Sequence, residues 1–212
     1  MSIPVRPDVH LADVLVARAE ALILRGERRM LAIAGAPGSG KSTVAQWLAE
    51  ALGERAVVVP MDGFHLANSE LARLGRAARK GAPDTFDVAG YRALLQRLKQ
   101  PQPGETIYAP LFNRELEESI ANAIPLAAAV QLVISEGNYL LLSQGPWEPI
   151  AGLFDERWYV EVDETVRRAR LIERHIRFGR SLEAARAWVE STDEPNARKV
   201  EKDRGRADFV LP

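Results

Sequence analysis

The sequence predicts an α/β fold, a doubly wound parallel sheet with helices on both of its faces. Short apolar runs alternate along the chain with amphipathic helical patterns, which is the order of strand-helix-strand units. The apolar runs are uniformly apolar rather than alternating, as expected of parallel strands that are covered on both faces. The length of 212 residues suffices for one compact domain with a substantial core.

Composition excludes several classes of protein. The net charge of −1 gives no indication of a nucleic-acid or membrane partner, and the absence of cysteine excludes a disulfide framework and thiolate chemistry. The most apolar stretch, residues 124–135, is too short to cross a membrane. Asp8, Asp13 and Arg18 interrupt the apolar core that a secretory signal requires. We therefore expect a cytoplasmic protein.

The most informative motif occupies residues 35–42, Gly-Ala-Pro-Gly-Ser-Gly-Lys-Ser, which match the phosphate-binding loop pattern of Gly, four residues and Gly-Lys-Ser. An apolar strand pattern at residues 30–34 precedes it, and a helical pattern that Gly53 can close follows it. A dinucleotide site would have its glycines in another order, without Lys-Ser behind them. The motif therefore predicts the P-loop nucleoside triphosphate hydrolase fold.

Each residue type in this loop has a physical reason. Glycines let successive backbone N–H groups point at phosphate oxygens, and the following helix presents its positive end to the same anion. Lys41 is expected to reach the β- and γ-phosphates, and Ser42 to offer its hydroxyl to Mg²⁺. ATP and Mg²⁺ are the predicted cofactors. The predicted phosphate-binding residues are Gly35, Ala36, Pro37, Gly38, Ser39, Gly40, Lys41, Ser42 and Thr43.

The remaining elements follow from periodicity and turn residues. An accessory helix is predicted within residues 1–28, and lid and C-terminal helices within about residues 164–205, all in a single P-loop domain spanning 1–212. Asp87 is expected to cap a helix. The other predicted elements are strands at residues 56–59, 131–135, 158–162 and 208–211, a helix at 88–99, and a charged hairpin or loop excursion at 106–125.

Two carboxylates follow predicted strands, and ligands of parallel sheets bind beyond the carboxyl ends of the strands. Asp62 comes soon after residues 56–59, and Glu136 directly after residues 131–135. The Asn-Lys-x-Asp motif of GTP-binding switches is absent, so phosphoryl transfer is favoured over hydrolysis. We hypothesise that Asp62 accepts the proton of the acceptor hydroxyl and that Glu136 holds a water on Mg²⁺. The structural alternatives are a turn-capping aspartate and a surface carboxylate.

A basic stripe predicts a lid. Arg167, Arg170, Arg174 and Arg177 recur at helical spacing, with Arg180 just beyond them. Such a stripe is often a solvated face. Next to a phosphate loop, arginines that close over the transferring phosphoryl group would supply positive charge and exclude water. We expect the lid to be centred on Arg174 and Arg180, as catalytic residues together with Asp62 and Lys41.

Together these motifs carry a family resemblance over about residues 29–212. The phosphate loop, Asp62-Gly63-Phe64, Glu136-Gly137, the arginine lid and the closing residues 207–212 resemble P-loop kinases of the uridine kinase, phosphoribulokinase and pantothenate kinase group. Lys80-Gly81-x-Pro83 resembles pantothenate kinases. The short length and residues 61–65 and 109–114 are closer to bacterial nucleoside/nucleotide kinase family proteins that are labelled fructose transport system kinases.

The resemblance implies a kinase that phosphorylates a small-molecule hydroxyl, with the base at Asp62, the magnesium-side glutamate at Glu136 and the lid at Arg174 and Arg180. A sugar is the first expected acceptor, and a uridine-like nucleoside, pantothenate or a non-catalytic nucleotide-binding regulator are the alternatives. His65 replaces a tyrosine that is common in nucleoside kinases and is a candidate for binding a sugar hydroxyl, or else an ordinary loop histidine. Arg114 is a candidate for binding an acceptor oxygen, or forms a salt bridge with a neighbouring glutamate. A homodimer is left open.

Overall fold

The computed structural model describes residues 9–212; residues 1–8, which include Asp8 and the start of the predicted accessory segment, lie outside the described residues. Within that range the α-helices are α1 (Val9–Ile23), α2 (Lys41–Leu52), α3 (Asn68–Arg73), α4 (Val88–Lys99), α5 (Glu164–Arg177), α6 (Leu182–Trp188) and α7 (Glu194–Lys202). A π-helical turn, Val189–Asp193, joins α6 to α7.

The strands form one main sheet and one hairpin. The strands are β1 (Arg29–Ala34), β2 (Ala56–Pro60), β3 (Ile107–Asn113), β4 (Glu118–Leu126), β5 (Leu132–Gly137), β6 (Glu156–Val160) and β7 (Phe209–Leu211). The main sheet has the order β2-β5-β1-β6-β7 and every pairing in it is parallel. β3 and β4 form the antiparallel hairpin predicted at residues 106–125. The α/β prediction is therefore confirmed.

Helices cover both faces of this sheet, because side chains along a strand point alternately to opposite sides. On β1, Met30 and Ala32 belong to the apolar core that contains α4 and the hairpin. Leu31 and Ile33 belong to the core that α1 and α2 form on the other face. This two-sided burial explains why the strand patterns in the sequence are uniformly apolar.

Two predicted helix boundaries are confirmed by local hydrogen bonds. The Asp87 carboxylate accepts a hydrogen bond of 2.8 Å from the backbone N–H of Gly90 and caps α4. Gly53 ends α2, and its N–H donates to the carbonyls of Ala49 and Glu50. Within residues 9–212, no helix combines the length and apolar character that a membrane crossing would require.

The register of the sheet gathers the functional segments at one edge. Glu136 on β5 lies opposite both Ile33 on β1 and Pro60 on β2. The loop after β1, the turn Met61–Phe64 after β2 and the residues after β5 therefore meet at the carboxyl edge of the sheet.

Candidate active site

The loop between β1 and α2 adopts a conformation suited to an anion. Gly38 has a φ of +82°, a left-handed conformation that favours glycine, and a Cβ there would lie 2.8 Å from the carbonyl oxygen of Arg167 on α5. Gly40 precedes α2 without a side-chain cap, and the first turn of α2 has no acidic residue. The first N–H groups of the helix are thus available to a phosphate.

The residues around this loop fit a nucleoside triphosphate and its magnesium ion. The hydroxyl of Ser39 is buried without a hydrogen-bond partner among the described residues, as expected of a polar group that a ligand completes. Ser42 donates a hydrogen bond to Glu136, so two hard oxygen ligands adjoin each other. Magnesium sites commonly take one or two protein oxygens and complete their coordination with phosphates and water. Such a magnesium site does not need a cage made only of protein ligands. Residues 9–212 contain no cluster of three or more His, Cys, Asp and Glu that could hold a metal.

Glu136 and Lys41 are electrostatically linked beneath the loop. Burial raises the pKa of the Glu136 carboxyl above its ordinary value, although Lys41 and the hydrogen bond from Ser42 oppose this. Burial likewise lowers the pKa of the Lys41 ammonium, against the attraction of Glu136 and Asp62. A lysine ammonium without its hydration shell is unfavourable unless an anion pairs with it. A nucleotide phosphate would supply that anion.

Asp62 lies in the turn after β2, and its side chain is 27% exposed. The guanidinium of Arg114 approaches its Oδ2 to 3.1 Å. Arg114 therefore forms its salt bridge with Asp62, and the alternative of a neighbouring glutamate is wrong. Burial acts to raise the pKa of Asp62, but nearby basic groups outweigh it and hold this pKa below its ordinary value. These groups are His65, Arg114, Lys41 and Arg174.

His65 is held in one tautomer and one position. Its Nδ1 lies 2.7 Å from the backbone carbonyl of Asp62, so Nδ1 carries the proton and donates it. The ring lies between Phe86 and Phe112, with centroid distances of 4.1 and 4.6 Å. Burial lowers the pKa of His65, so the ring is neutral at pH 7. Sequence reasoning did not foresee this packed position.

A cleft of about 460 Å³ adjoins the predicted lid, and its lining also contains Lys41, Ser42, Asp62, His65 and Arg114. Arg174 and Arg180 both line this cleft. The guanidinium carbon of Arg180 lies 3.9 Å from the ring centroid of Trp188, a cation–π contact. Burial, together with the like charge of Arg114, lowers the pKa of Arg174. The structure thus brings the two arginines together with the loop and Asp62.

Two other arginines of the predicted stripe bind groups of the protein itself. Arg167 is buried and forms an ion pair with Glu194 on α7, with nitrogen and oxygen 2.8 Å apart. Arg170 donates to the carbonyl of Ser39 at 3.4 Å. The alternative of a solvated basic face is therefore wrong at Arg167 and Arg170. Helical spacing identifies a face, but it does not say which side of α5 the P-loop covers.

Three cleft residues were not assigned to the site from the sequence. No site role was predicted for His175 or Lys80, yet both line the cleft. Nε2 of His175 lies 2.8 Å from Oδ2 of Asp193, and the ammonium of Lys80 donates to Oδ1 of Asn68 at 2.7 Å. Asn138 also lines the cleft. Its position directly after Glu136-Gly137, at the end of a strand, was the signal that could have identified it.

The fold and this constellation define the class, a P-loop kinase. The model of the phosphoribulokinase / uridine kinase family matches residues 30–212, and the chain belongs to that family. Members of this family are phosphotransferases that use Mg-ATP.

Three similar proteins carry different names. The chain is 36% identical over 216 residues to "Putative uridine kinase C227.14" of Schizosaccharomyces pombe, covering 97% of this chain and 92% of that protein. It is 30% identical over 230 residues to a pantothenate kinase of Leifsonia xyli subsp. xyli, covering 94% and 69%. A crystal structure from Silicibacter sp. TM1040, described as a "putative fructose transport system kinase", is 38% identical, with a TM-score of 0.84 and coverage of 93% and 98%.

Proposed function

We propose that this protein transfers the γ-phosphoryl group of Mg-ATP to a hydroxyl of a small metabolite, and that this acceptor is a sugar. The observation that carries the proposal is the position of Asp62, a carboxylate of lowered pKa that lines the same cleft as Lys41 and is ion-paired with Arg114. A base near an acceptor hydroxyl is what phosphoryl transfer to an alcohol needs.

In this proposal Asp62 accepts the proton of the acceptor hydroxyl while that oxygen bonds to the γ-phosphorus. Lys41 and the lid residues Arg174 and Arg180 stabilise the negative charge that develops on the transferring group and on the departing ADP. Ser42, and Glu136 through a bound water, would hold the magnesium ion, which would neutralise phosphate charge when bound. Backbone N–H groups of residues 35–43 orient the nucleotide.

The acceptor end of the cleft supports a sugar by its chemistry. His65 presents a neutral ring, and Arg114 supplies further N–H donors beside Asp62. Both suit hydroxyl groups, which donate and accept hydrogen bonds. The similarity to a protein described as a fructose transport system kinase favours the same choice.

We also infer a single kinase domain in which α1 is accessory and residues from about 164 to 205 form the lid and C-terminal helices. α1 buries Leu15, Ala19 and Leu22 in the core that it shares with α2, which supports a packing role. We infer a cytoplasmic location and a small-molecule partner.

The test is a coupled ADP-release assay across D-fructose, other sugars, uridine, cytidine and pantothenate. The proposal expects ADP release that depends on a sugar and a phosphorylated sugar in the product mixture. Phosphorylation of uridine or pantothenate alone would replace the sugar by that acceptor. A nucleotide-binding regulator would bind Mg-ATP and release no ADP with any acceptor.

A further inference from the structure

Asn138 lies at the tip of the strand that carries Glu136, one residue beyond the end of β5. The neighbouring Gly137 packs closely against the turn after β2, since a Cβ at this glycine would lie 2.5 Å from the Cβ of Met61. Met61 directly precedes Asp62 in the turn after β2. Asn138 lines the same cleft as the proposed base, in a segment to which the mechanism above assigns no role.

The side chain of Asn138 lacks a partner. Its carboxamide oxygen is buried and accepts no hydrogen bond from any described residue. A buried carbonyl without a partner is unfavourable, and most such groups in folded proteins are paired. Because the residue lines a ligand-sized cleft, a bound molecule is the natural source of the missing hydrogen bond.

The same cleft presents other hydrogen-bond acceptors. His65 donates its Nδ1 proton to the carbonyl of Asp62, which leaves Nε2 with a free lone pair. Asp62 itself is a carboxylate of lowered pKa. The nearby ammonium of Lys80 is engaged by Oδ1 of Asn68 at 2.7 Å and by Glu117. Three acceptor groups, on Asp62, His65 and Asn138, thus line a cleft that also holds the N–H donors of Arg114. This combination suits a ligand whose groups both donate and accept hydrogen bonds.

We propose that Asn138 is a specificity-determining residue that binds a hydroxyl of the acceptor, and that this acceptor is a polyol whose other hydroxyls are received by Asp62 and His65. This inference rests on the proposed function. A hydroxyl both donates and accepts, so it satisfies the carboxamide in either of its two orientations. A substrate carboxylate only accepts, so it would leave the carbonyl oxygen of Asn138 unpaired.

The test compares wild type with Asn138→Ala on D-fructose and uridine, each with its monodeoxy analogues. For the polyol that is phosphorylated, Asn138→Ala is expected to lower kcat/KM by about five- to tenfold, the effect of one lost neutral hydrogen bond. The KM for ATP should stay within about twofold. Against one monodeoxy analogue, the two proteins should be equal, because the hydroxyl that Asn138 binds is already missing. A purely structural role would lower kcat/KM by the same factor for every analogue and would overturn the inference.

Two further variants guard against misfolding. Asn138→Ser keeps a hydroxyl and should recover part of the lost kcat/KM, whereas Gln96→Ala removes an exposed carboxamide on α4, outside the cleft lining, and should behave as wild type. Equal behaviour of Asn138→Ser and Asn138→Ala on every acceptor, with both folded, would contradict the assignment.

A binding measurement separates this inference from the proposed function. Calorimetry with a non-hydrolysable ATP analogue present reports polyol binding without turnover. If no acceptor is phosphorylated but D-fructose or uridine binds wild type more tightly than Asn138→Ala, the site assignment stands and the kinase proposal fails. If neither polyol binds wild type, the inference is overturned.

Discussion

The guanidinium of Arg114 lies 3.1 Å from Oδ2 of Asp62. Arg114 belongs to the turn between β3 and β4, whereas Asp62 follows β2 at the edge of the parallel sheet. The ion pair joins the hairpin to the sheet edge across 52 positions of sequence. Both residues line the cleft, and the positive charge of Arg114 contributes to the lowered pKa of Asp62. A base that is ionised and held by its partner is prepared for proton transfer.

Asp62→Asn removes the proposed base but keeps the size of the side chain. We expect kcat to fall by about 10²- to 10⁴-fold, the range typical of a lost general base. The affinity for Mg-ATP should change by less than about threefold, since the phosphate loop is intact. Steady-state kinetics and calorimetric titration with ATP measure the two quantities.

Asp84→Asn is the matched control. Asp84 forms ion pairs with Arg76 and Arg79 and lies outside the cleft lining. The same chemical change there should therefore leave kcat near the wild-type value. If Asp62→Asn retained more than a tenth of the wild-type kcat, Asp62 would not be the base.

The acid limb of the pH profile should report the environment of Asp62. The base must be deprotonated, and a lowered pKa keeps it deprotonated to a lower pH than an ordinary aspartate. Replacing Arg114 by Gln removes a positive charge that favours the carboxylate, so the pKa of Asp62 should rise and the acid limb of kcat/KM should move to higher pH. Superimposable limbs in the two proteins would argue against Asp62 as the titrating base.

Local patterns were sufficient to predict the sheet strands, the P-loop and the bounds of α4. Asp87 caps α4 and Gly53 ends α2 because capping and glycine conformations act over a few residues, so their effects are visible in the sequence. The rule that strand ends share one edge also brought Asp62 and Glu136 correctly to the phosphate loop.

Contacts between distant elements could not be predicted in the same way. The face of α5 that carries Arg167 and Arg170 was recognised, but its burial against the P-loop depends on how α5 packs. Similarly, His175 meets Asp193 through the π-helical turn Val189–Asp193, and such a turn has no clear signature in residue types. Tertiary packing determines which residues of distant elements come into contact.

Gly38→Ala should destabilise the protein by two separate effects. A left-handed φ of +82° is strained for alanine, and the new Cβ would lie 2.8 Å from the carbonyl oxygen of Arg167. Gly26→Ala isolates the first effect, because its φ is +88° and nothing lies within 4 Å of the added carbon. We expect a loss of about 1 kcal/mol at Gly26, or about 2 to 4 °C in Tm, and at least twice that at Gly38. If the two variants lost equal stability in thermal melts, α5 would have to move and so accommodate the methyl group added at position 38.

The buried pair of Arg167 and Glu194 should contribute far more to stability than an exposed pair. Its side chains are 3% and 5% exposed, whereas those of Arg204 and Glu161 are 47% and 49% exposed at a similar separation of 2.7 Å. Glu194→Ala leaves the buried guanidinium of Arg167 without its carboxylate, and such a change typically costs about 3 to 5 kcal/mol. Glu161→Ala should cost at most about 1 kcal/mol, because water already solvates that pair. Urea denaturation of the two variants measures the difference.

Removing both charges tests the reason for that loss. If the penalty of Glu194→Ala comes from an unpaired buried charge, the double variant Arg167→Met with Glu194→Leu should regain most of the free energy of unfolding, since apolar side chains of similar volume often replace a buried pair at little cost. Arg167 also donates to the carbonyl of Pro37 at 3.5 Å, so the double variant loses a link between α5 and the P-loop. We therefore expect restored stability together with weaker Mg-ATP binding. A double variant as unstable as Glu194→Ala would show that packing, rather than charge pairing, determines the stability at this position.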